Sequence, residues 1–519
     1  MMKKYINALV IAAGLMTGFT SCEDKLETVP TDAVSGSVLL GNAEGTQIAL
    51  NGIYRMMYSS GWSDGNTHQN FGNMSTGLVG DLLGDDMNQN EQGSGWFYFD
   101  YRHNVNSRYS SKAWRSYATW NYYYTLISNA NYILAAQNDI KGTEAKVNSV
   151  IGQAYAIRAY SYFYLIRMFQ QTYIGNESKP GVPLYTEPTA AGTEGKARGT
   201  VQETYDLIND DITAAIEYLK KAEPQAHPSH MDLYTAYGIK ANIALTQNKW
   251  QEAADAAKAA RLKPGLTLMT DKELTSGFNS VALGSVIWGA KIIGDQATVY
   301  ASFGSHMDSS QDYYGKTSRK CISAWLYEQI NTTDVRKKWW YGKLAANNAT
   351  GTECSYNQFK FTLANSSTES DYIFMRAEEM LLVEAEALCR LGNYSGAKEL
   401  MLKFGVIRDK NYEAQLNSRA ESSTLTKDQY GTTTVAEPVT LLDEIILQRR
   451  IELWGETGRI FDLLRLHVGF NRDYEGSNHS QKLVSSETKQ AGWKTFILTI
   501  PQSEFDGNVN ISEEDQNPL

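Results

Sequence analysis

The sequence has few cysteines and, beyond its N-terminal segment, no long apolar run. Only four cysteines occur in 519 residues, which excludes a small scaffold held together by disulfides. The longest apolar candidate, residues 281–294, is interrupted by Lys291 and is too short to cross a bilayer as a helix. Basic residues number 48 against 58 acidic ones, for a net charge of −10. That charge disfavours nucleic acid and anionic membranes as partners, because both would be repelled.

The N-terminus has the pattern of a bacterial export signal. Lys3 and Lys4 precede an apolar stretch at residues 6–19, which is too short to span a bilayer stably. The stretch leads into Thr-Ser-Cys22 and resembles a lipobox, with phenylalanine in place of the usual leucine three positions before the cysteine. We therefore expect residues 1–21 to be a lipoprotein signal peptide and Cys22 to be acylated. An ordinary signal peptide with an incidental cysteine is the alternative.

Three further cysteines are spread through the chain. Cys389 falls on the apolar face of a predicted helix, and we expect it to behave as a small hydrophobic residue. The other two, Cys321 and Cys354, are compatible with one disulfide bridge or with two free thiols. The sequence leaves both possibilities open.

Helical periodicity dominates the rest of the chain, so the predicted fold class is mainly α. The predicted helices cover residues 112–137, 146–169, 201–221, 233–245, 250–261, 373–391, 394–404 and 441–466. Long tracts rich in Gly, Ser and Asn interrupt them near residues 59–109 and 277–341, and again at 411–437. A few short strands are expected, around 286–293 and 496–500. Insertions of this length in a compact protein are usually functional or disordered.

Two helix pairs resemble tetratricopeptide repeats. One runs from Ala236 to Pro264 and the other covers residues 385–397. Small residues let the two helices of a pair approach, and one aromatic side chain wedges each pair, so Tyr237, Trp250 and Tyr394 are expected in the core. A spine of such pairs can extend through one domain at residues 22–519, because each pair needs only its neighbours.

Aromatic side chains within the polar insertions are the candidate ligand-binding groups. Tyrosine is twice as frequent as phenylalanine, 32 against 16, and a ring with a polar group suits a surface that is both wet and adhesive. The candidates are Trp62, Trp96, Tyr98, Tyr101, Tyr300, Tyr313 and Tyr314. The alternation Trp-Phe-Tyr-Phe at residues 96–99 suggests a short strand with one face outward. For each ring, the alternative is that it anchors a long loop to the helical spine.

No residue pattern singles out a catalytic or metal centre. Residues 61–65 match Gly-x-Ser-x-Gly, but polar sequence follows where a nucleophile elbow needs a helix. Asp81, Asp85 and Asp86 could form a loose calcium site, although the loop lacks the glycine and the glutamate of a calcium loop. The two carboxylates of a glycosidase are defined by their spatial separation, so that alternative stays open. We expect a binding protein with no enzymatic activity, no cofactor and no metal.

Four segments, in this order, resemble the SusD/RagB family of surface nutrient-binding lipoproteins. They are residues 157–169 followed by Gly-Val-Pro-Leu at 181–184, residues 374–387, residues 445–465, and the tail from Ile-Pro at 500–501 to Asn-Pro-Leu at 517–519. The resemblance implies a scaffold of tetratricopeptide-like helix pairs that presents a ligand-binding face, with ligand residues supplied by the two insertions.

Charged residues recur within these segments. The basic and acidic members are Arg158, Arg449, Arg450, Arg459, Glu452, Glu456 and Asp462. They can form charge-assisted pairs that hold adjacent helices in register. A solvated charged helix face is the alternative.

The resemblance also implies a function and a location. It implies capture of oligosaccharides for a SusC-like TonB-dependent outer-membrane transporter. Oligopeptides, as in the RagB branch, are the alternative ligand, and a glycoside hydrolase is a further alternative. Glu23 and Asp24, directly after the expected lipidation site, resemble a signal that moves lipoproteins to the outer face. The expected location is therefore the cell outer membrane, lipid-anchored and facing the exterior.

Overall fold

The computed structural model describes residues 39–60, 67–104, 110–190, 192–225, 227–345, 354–365 and 368–518. Helices dominate these residues, which confirms the predicted mainly α class. The expected signal peptide, residues 1–21, and Cys22 lie outside the described residues. In the part of the chain that is described, no helix has both the length and the apolar character needed to cross a membrane.

Helices predominate in the first half of the chain, and some of them begin at a side chain that caps their first turn. They are α1 (Ala43–Met56), α2 (Asn73–Leu83), α3 (Tyr98–Tyr101), α4 (Trp114–Ala135), α5 (Glu144–Phe169), α6 (Val201–Leu219), α7 (Leu233–Thr246), α8 (Trp250–Arg261) and α9 (Asp271–Leu274). Thr200 begins α6 with a capping box, in which its hydroxyl accepts the Glu203 N–H and Glu203 accepts the Thr200 N–H. Such a box satisfies backbone donors that the first helical turn leaves unpaired.

The second half is also helical but carries more short elements. Its helices are α10 (Phe303–Met307), α11 (Tyr314–Thr317), α12 (Ala324–Glu328), α13 (Ala377–Arg390), α14 (Tyr394–Arg408), α15 (Tyr412–Asn417), α16 (Leu441–Glu452), α17 (Arg459–Arg465) and α18 (Gln502–Gly507). Turns of 3-10 helix occur at Thr67–Gln69, Val335–Trp339, Lys494–Phe496 and Glu513–Asp515.

Consecutive long helices pack as pairs that form the spine. Helix α4 packs on α5 and α5 on α6, while α7 packs on α8 and α13 on α14. Helix α8 also packs on α13, so the two predicted helix pairs are neighbours although more than a hundred residues separate them in sequence. Cys389 is buried between these helices, as expected, in a cluster with Leu382, Phe404 and Leu442.

Three two-stranded antiparallel sheets connect distant segments. The strands are β1 (Met87–Gln89), β2 (Pro180–Pro183), β3 (Arg198–Thr200), β4 (Val286–Ala290), β5 (Lys320–Ile322) and β6 (Tyr372–Arg376). Strand β1 pairs with β5, β2 with β3, and β4 with β6. The predicted strand at 286–293 is therefore present and shorter. The prediction of a strand at 496–500 is wrong. This buried segment forms no β-ladder with another segment, and the Leu498 N–H donates instead to the Met168 carbonyl at 2.7 Å.

The charged residues of the family-like segments are buried in ion pairs, so the alternative of a solvated face is wrong. The pairs are Arg158–Asp211, Arg449–Asp462, Arg450–Asp86, Arg459–Asp85 and Arg465–Glu386. Charge-assisted bonds of this kind fix both distance and orientation between the helices that carry them. They set the register of the spine.

The two cysteines left open by the sequence are free thiols in the structure. Cys321 lies in β5 and Cys354 lies beside it, and both are buried. A hydrogen bond from Cys321 lowers the pKa of the Cys354 thiol to about 7, whereas the pKa of Cys321 is raised by the same bond and by burial.

Candidate functional site

The pairing of β1 with β5 brings the two polar insertions together. Met87 lies opposite Ile322, and Gln89 lies opposite Lys320. The contact continues beyond the ladder, because the Asn90 N–H donates to the Arg319 carbonyl at 3.1 Å. Residues that follow β1 and residues that precede β5 therefore share one surface.

Five rings from both insertions meet on that surface. They are His68, Trp96, Tyr300, Tyr313 and Tyr314 and are called the aromatic platform below. The rings of His68 and Trp96 are stacked, with centroids 5.1 Å apart and planes inclined by 5°. The Tyr314 ring lies 6.2 Å from Trp96 and 5.5 Å from Tyr300. Tyr313 stands at 89° to Tyr300 with centroids 5.8 Å apart.

Hydrogen bonds and a buried ring hold the platform from below. The Tyr314 hydroxyl and the His68 Nδ1 are 2.7 Å apart. The Tyr314 ring stacks on His306 at 4.9 Å, and the His306 Nε2 lies 2.6 Å from the His68 carbonyl oxygen. His306 is buried, and burial lowers its pKa well below the usual range. The neutral imidazole therefore acts as a packed aromatic support.

The platform is accessible from solvent. Tyr300 is 48% exposed, while Trp96, Tyr313 and Tyr314 are half-buried. Asp312, beside Tyr313 in sequence, is largely exposed and forms an ion pair with Lys316. Rings with a polar group at the edge and charged groups next to them can combine apolar stacking with hydrogen bonds to a ligand.

A turn at Trp96 and Phe97 leaves the Trp96 ring half-buried in the platform and buries Phe97 and Tyr98. Phe97 adopts a left-handed φ of 61°, an uncommon conformation for a bulky residue. It is stabilised there because its ring is fully buried against Phe71 and His306 and its N–H donates to Gln69 Oε1 at 3.0 Å. The predicted strand at 96–99 is therefore wrong, since this segment is a turn that leads into the short helix α3.

Two of the predicted ligand-binding residues, Tyr98 and Tyr101, lie outside the platform and are buried. Helix α3 turns both side chains inward. Tyr101 is completely buried; its hydroxyl donates to Asn88 Oδ1 at 2.8 Å, and the Arg472 guanidinium covers its ring at 4.4 Å. Tyr98 is 8% exposed, and its hydroxyl accepts a hydrogen bond from Gln481 Nε2 at 3.0 Å.

The structure thus brings together Trp96, Tyr300, Tyr313 and Tyr314 of the seven predicted residues. Trp62 and the Gly-x-Ser-x-Gly segment lie outside the described residues. His68 is a platform residue that sequence reasoning missed. Its only signal is a position within the polar insertion, because its role depends on a contact with Tyr314 across 246 positions.

The three aspartates of the alternative calcium site already form hydrogen bonds with other groups of the protein. Asp85 bonds to the Arg459 Nε at 2.8 Å and Asp86 to the Arg450 Nη2 at 2.6 Å. Asp81 accepts the Arg459 N–H at 2.9 Å, and burial raises its pKa to about 8, which disfavours the charged form that a calcium ligand needs. A calcium ion would have to displace two buried arginines, and no group of metal-ligating side chains is found among the described residues.

Two family models match most of the chain. Residues 78–245 match a family described as starch-binding and associating with the outer membrane, and residues 287–519 match the SusD family. SusD-like protein P2 of Formosa agariphila is 24% identical over 98% of this chain and 99% of that protein. SusD-like protein P38 of the same bacterium is 22% identical over 89% of this chain and 92% of that protein.

Solved structures with the same fold include proteins described as carbohydrate-binding. A SusD-like carbohydrate binding protein from Bacteroides vulgatus superposes with a TM-score of 0.74 at 22% identity, covering 92% of this chain and 99% of that one. Surface glycan-binding protein A from Bacteroides thetaiotaomicron, in complex with laminarihexaose, gives a TM-score of 0.63 at 16% identity, covering 91% and 99%. At these identities the superpositions establish the fold.

Proposed function

Since this chain belongs to the SusD/RagB family, we propose that it is a surface glycan-binding protein whose aromatic platform captures neutral oligosaccharides. The observation that carries the proposal is the convergence of Trp96, Tyr300, Tyr313 and Tyr314 at a position that is partly open to solvent. A pyranose ring presents C–H groups on its faces, which pack against aromatic rings, while hydroxyls at its edge bond to neighbouring polar groups.

The platform is suited to weak, reversible binding. Two or three ring contacts contribute about 0.5–1.5 kcal/mol each, and a few hydrogen bonds add about 1 kcal/mol each. After the cost of association, a dissociation constant on the order of 10 μM to 1 mM remains. We propose that the protein, anchored at Cys22 on the outside of the outer membrane, passes its ligand to a SusC-like TonB-dependent transporter without altering it.

Isothermal titration against neutral hexasaccharides, laminarihexaose among them, and against short peptides tests the ligand class. We expect saccharide binding, and we expect Trp96→Ala and Tyr300→Ala each to weaken it about tenfold. The matched control is Tyr430→Ala, which removes a similarly exposed tyrosine (40%) outside the platform and should bind like the wild type. Unchanged affinity in both platform variants, or binding of peptides alone, would overturn the proposal.

Two further measurements address catalysis and the partner. Incubation of the purified protein with the bound saccharide should release no new reducing ends; steady release would favour the glycosidase alternative. Affinity purification from detergent-solubilised membranes should recover a TonB-dependent transporter. Recovery of the chain alone under mild detergent conditions would count against the transporter partnership and would leave the saccharide result unaffected.

A further inference from the structure

The outer face of α4 is unusual for a surface helix, because it carries almost no charge. Among its 22 residues the only charged one is Arg115, and that side chain is buried against Asp100. The outer stripe instead contains the exposed Tyr117 and Tyr132 and the half-buried Asn121, Tyr124 and Ser128, spaced three or four residues apart along one face. An exposed helix face normally carries charged side chains. Here it offers rings, an amide and a hydroxyl.

Four residues of this stripe, Tyr117, Asn121, Tyr124 and Ser128, line a groove with a volume of about 440 Å³. Helix α18 and the buried Trp120 ring also line the groove, together with Tyr185, Thr189, Ala190, Thr193 and Gly195. A volume of this size falls in the range of about 300–1,000 Å³ that is typical of small-molecule sites. None of the five platform residues lines the groove.

The groove is built from side chains that are already fixed. Trp120 Nε1 donates to Glu504 Oε2 at 3.0 Å, and Asn508 Nδ2 donates to Glu504 Oε1 at 2.7 Å. The Tyr124 hydroxyl donates to the Pro183 carbonyl at 2.8 Å, and the ring centroids of Tyr124 and Tyr185 lie 5.8 Å apart. A ligand would therefore meet a preorganised site, which lowers the entropy cost of binding.

We infer that this groove is a second saccharide-binding site, separate from the aromatic platform, for a short segment of a neutral glycan. Tyr117, Tyr124 and Tyr185 supply ring surfaces for the apolar faces of sugar rings. Asn121 and the Glu504 carboxylate supply hydrogen-bonding groups for hydroxyls. The carboxylate also disfavours anionic ligands, because like charges repel at short range. With two sites on one molecule, a long glycan would be retained more strongly than by either site alone.

A glycine that lines the groove allows a side chain to be added there. Gly507 lines it, and a Cβ at this position meets nothing within 4 Å, so Gly507→Phe adds a ring beside the groove without a clash at Cβ. Gly52→Phe is the matched control, since Gly52 is also exposed, helical and free of neighbours within 4 Å. Tyr117→Ala is a second groove variant, at a side chain that is 37% exposed. Circular dichroism and thermal melting establish that each variant is folded.

Affinity electrophoresis in gels that contain laminarin, starch, xylan or mannan measures the contribution of each site. In gels that retard the wild type, we expect Gly507→Phe and Tyr117→Ala to raise the apparent dissociation constant about tenfold and Gly52→Phe to have no effect. In the Tyr300→Ala background, residual retardation should disappear when Gly507→Phe is added.

Two results would overturn the second site. One is identical migration of Gly507→Phe and Gly52→Phe in every gel, in both the wild-type and the Tyr300→Ala backgrounds. The other is no retardation of the wild type by any of the polysaccharides. Loss of retardation on Tyr300→Ala alone would assign all binding to the platform, so the two proposals fail in distinguishable ways.

Discussion

The Tyr314 hydroxyl and the His68 Nδ1 lie 2.7 Å apart, although 246 positions separate the two residues in the sequence. His68 in turn stacks on Trp96, with ring centroids 5.1 Å apart. One hydrogen bond therefore connects the second insertion to the first and sets the mutual orientation of three platform rings. A preorganised arrangement of this kind costs less to bind a ligand than rings that must be ordered first.

Removal of that hydroxyl tests whether ring orientation matters for binding. We expect Tyr314→Phe to weaken saccharide binding about threefold to fivefold, because the ring remains while its anchor on His68 is lost. Tyr314→Ala, which also removes a stacking surface, should weaken binding about tenfold or more. Titration calorimetry measures both, and Tyr430→Phe is the control. If both Tyr314 variants bind like the wild type, the hydrogen bond has no role in ligand capture.

The proposed lipid anchor makes a separate prediction about location. Several acyl chains on one cysteine hold a protein stably at a membrane, whereas the unmodified chain lacks that attachment. We expect Cys22→Ala to abolish labelling with a fatty-acid analogue and to move the protein from the membrane fraction to the soluble fraction. Protease treatment of intact cells that produce the wild type should degrade it if it faces the exterior. Continued membrane retention of an unlabelled Cys22→Ala protein would contradict lipid anchoring.

The helical spine could be predicted from sequence because its periodicity is local. The apolar residues of α7, α8, α13 and α14 recur within each helix, and Asp232 and Asn393 cap α7 and α14 from directly before them, so no distant contact is needed to recognise these helices. For charged residues on a helix, in contrast, the spacing does not show whether they are buried. A stripe that includes Arg449 has the same spacing whether it faces water or a complementary stripe, and only the structure shows that its partner is Asp462.

The candidate site was predictable only in part, for the same reason. The insertions and their rings are visible in the sequence, but which ring faces solvent depends on single backbone conformations. The left-handed φ of Phe97 leaves Trp96 half-buried in the platform and leads into a helix that buries Tyr101. The spacing of apolar residues in the sequence does not distinguish Trp96 from Tyr101. The only signal for His68 is its position in the polar insertion, because its partner Tyr314 belongs to the other insertion, which β-pairing brings close.

The buried charges of the spine give a prediction for stability. Glu452 is fully buried and accepts hydrogen bonds from Arg336, Arg376 and Arg408 at 3.0, 2.7 and 2.9 Å. Removal of this carboxylate leaves three buried guanidinium groups short of a partner, so Glu452→Ala should lower the free energy of unfolding by about 3–5 kcal/mol. Urea denaturation measures the loss. Glu399→Ala, which removes an exposed ion pair with Lys403, is the control and should cause no measurable change. Equal stability of the two variants would contradict the structural role of the buried network.

His479 makes the stability of the protein depend on pH. Its imidazole is buried, with Nδ1 3.0 Å from the Tyr101 hydroxyl and Nε2 3.1 Å from the Asp85 carbonyl oxygen. Burial, and then the charge of Arg472, lower the pKa of His479 to about 3. Below a pH of about 6.5 the unfolded chain takes up a proton that the folded chain does not. The free energy of unfolding should therefore decrease as the pH is lowered from about 6.5 to about 3. This residue contributes roughly 1.4 kcal/mol per pH unit to that decrease.

Replacement of the imidazole separates this effect from the titration of the carboxylates. At pH 7, His479→Gln should lose about 1–2 kcal/mol, because the hydrogen bonds to Tyr101 and Asp85 are disturbed. At pH 4.5 the variant no longer carries the protonation penalty, so its free energy of unfolding should equal or exceed that of the wild type. Tyr101→Phe removes the hydroxyl partner but keeps the titrating group, and it should cost a similar amount at both pH values. Urea denaturation at pH 7 and 4.5 measures all three proteins. A constant deficit for His479→Gln at the two pH values would show that the imidazole becomes protonated in the folded chain without penalty.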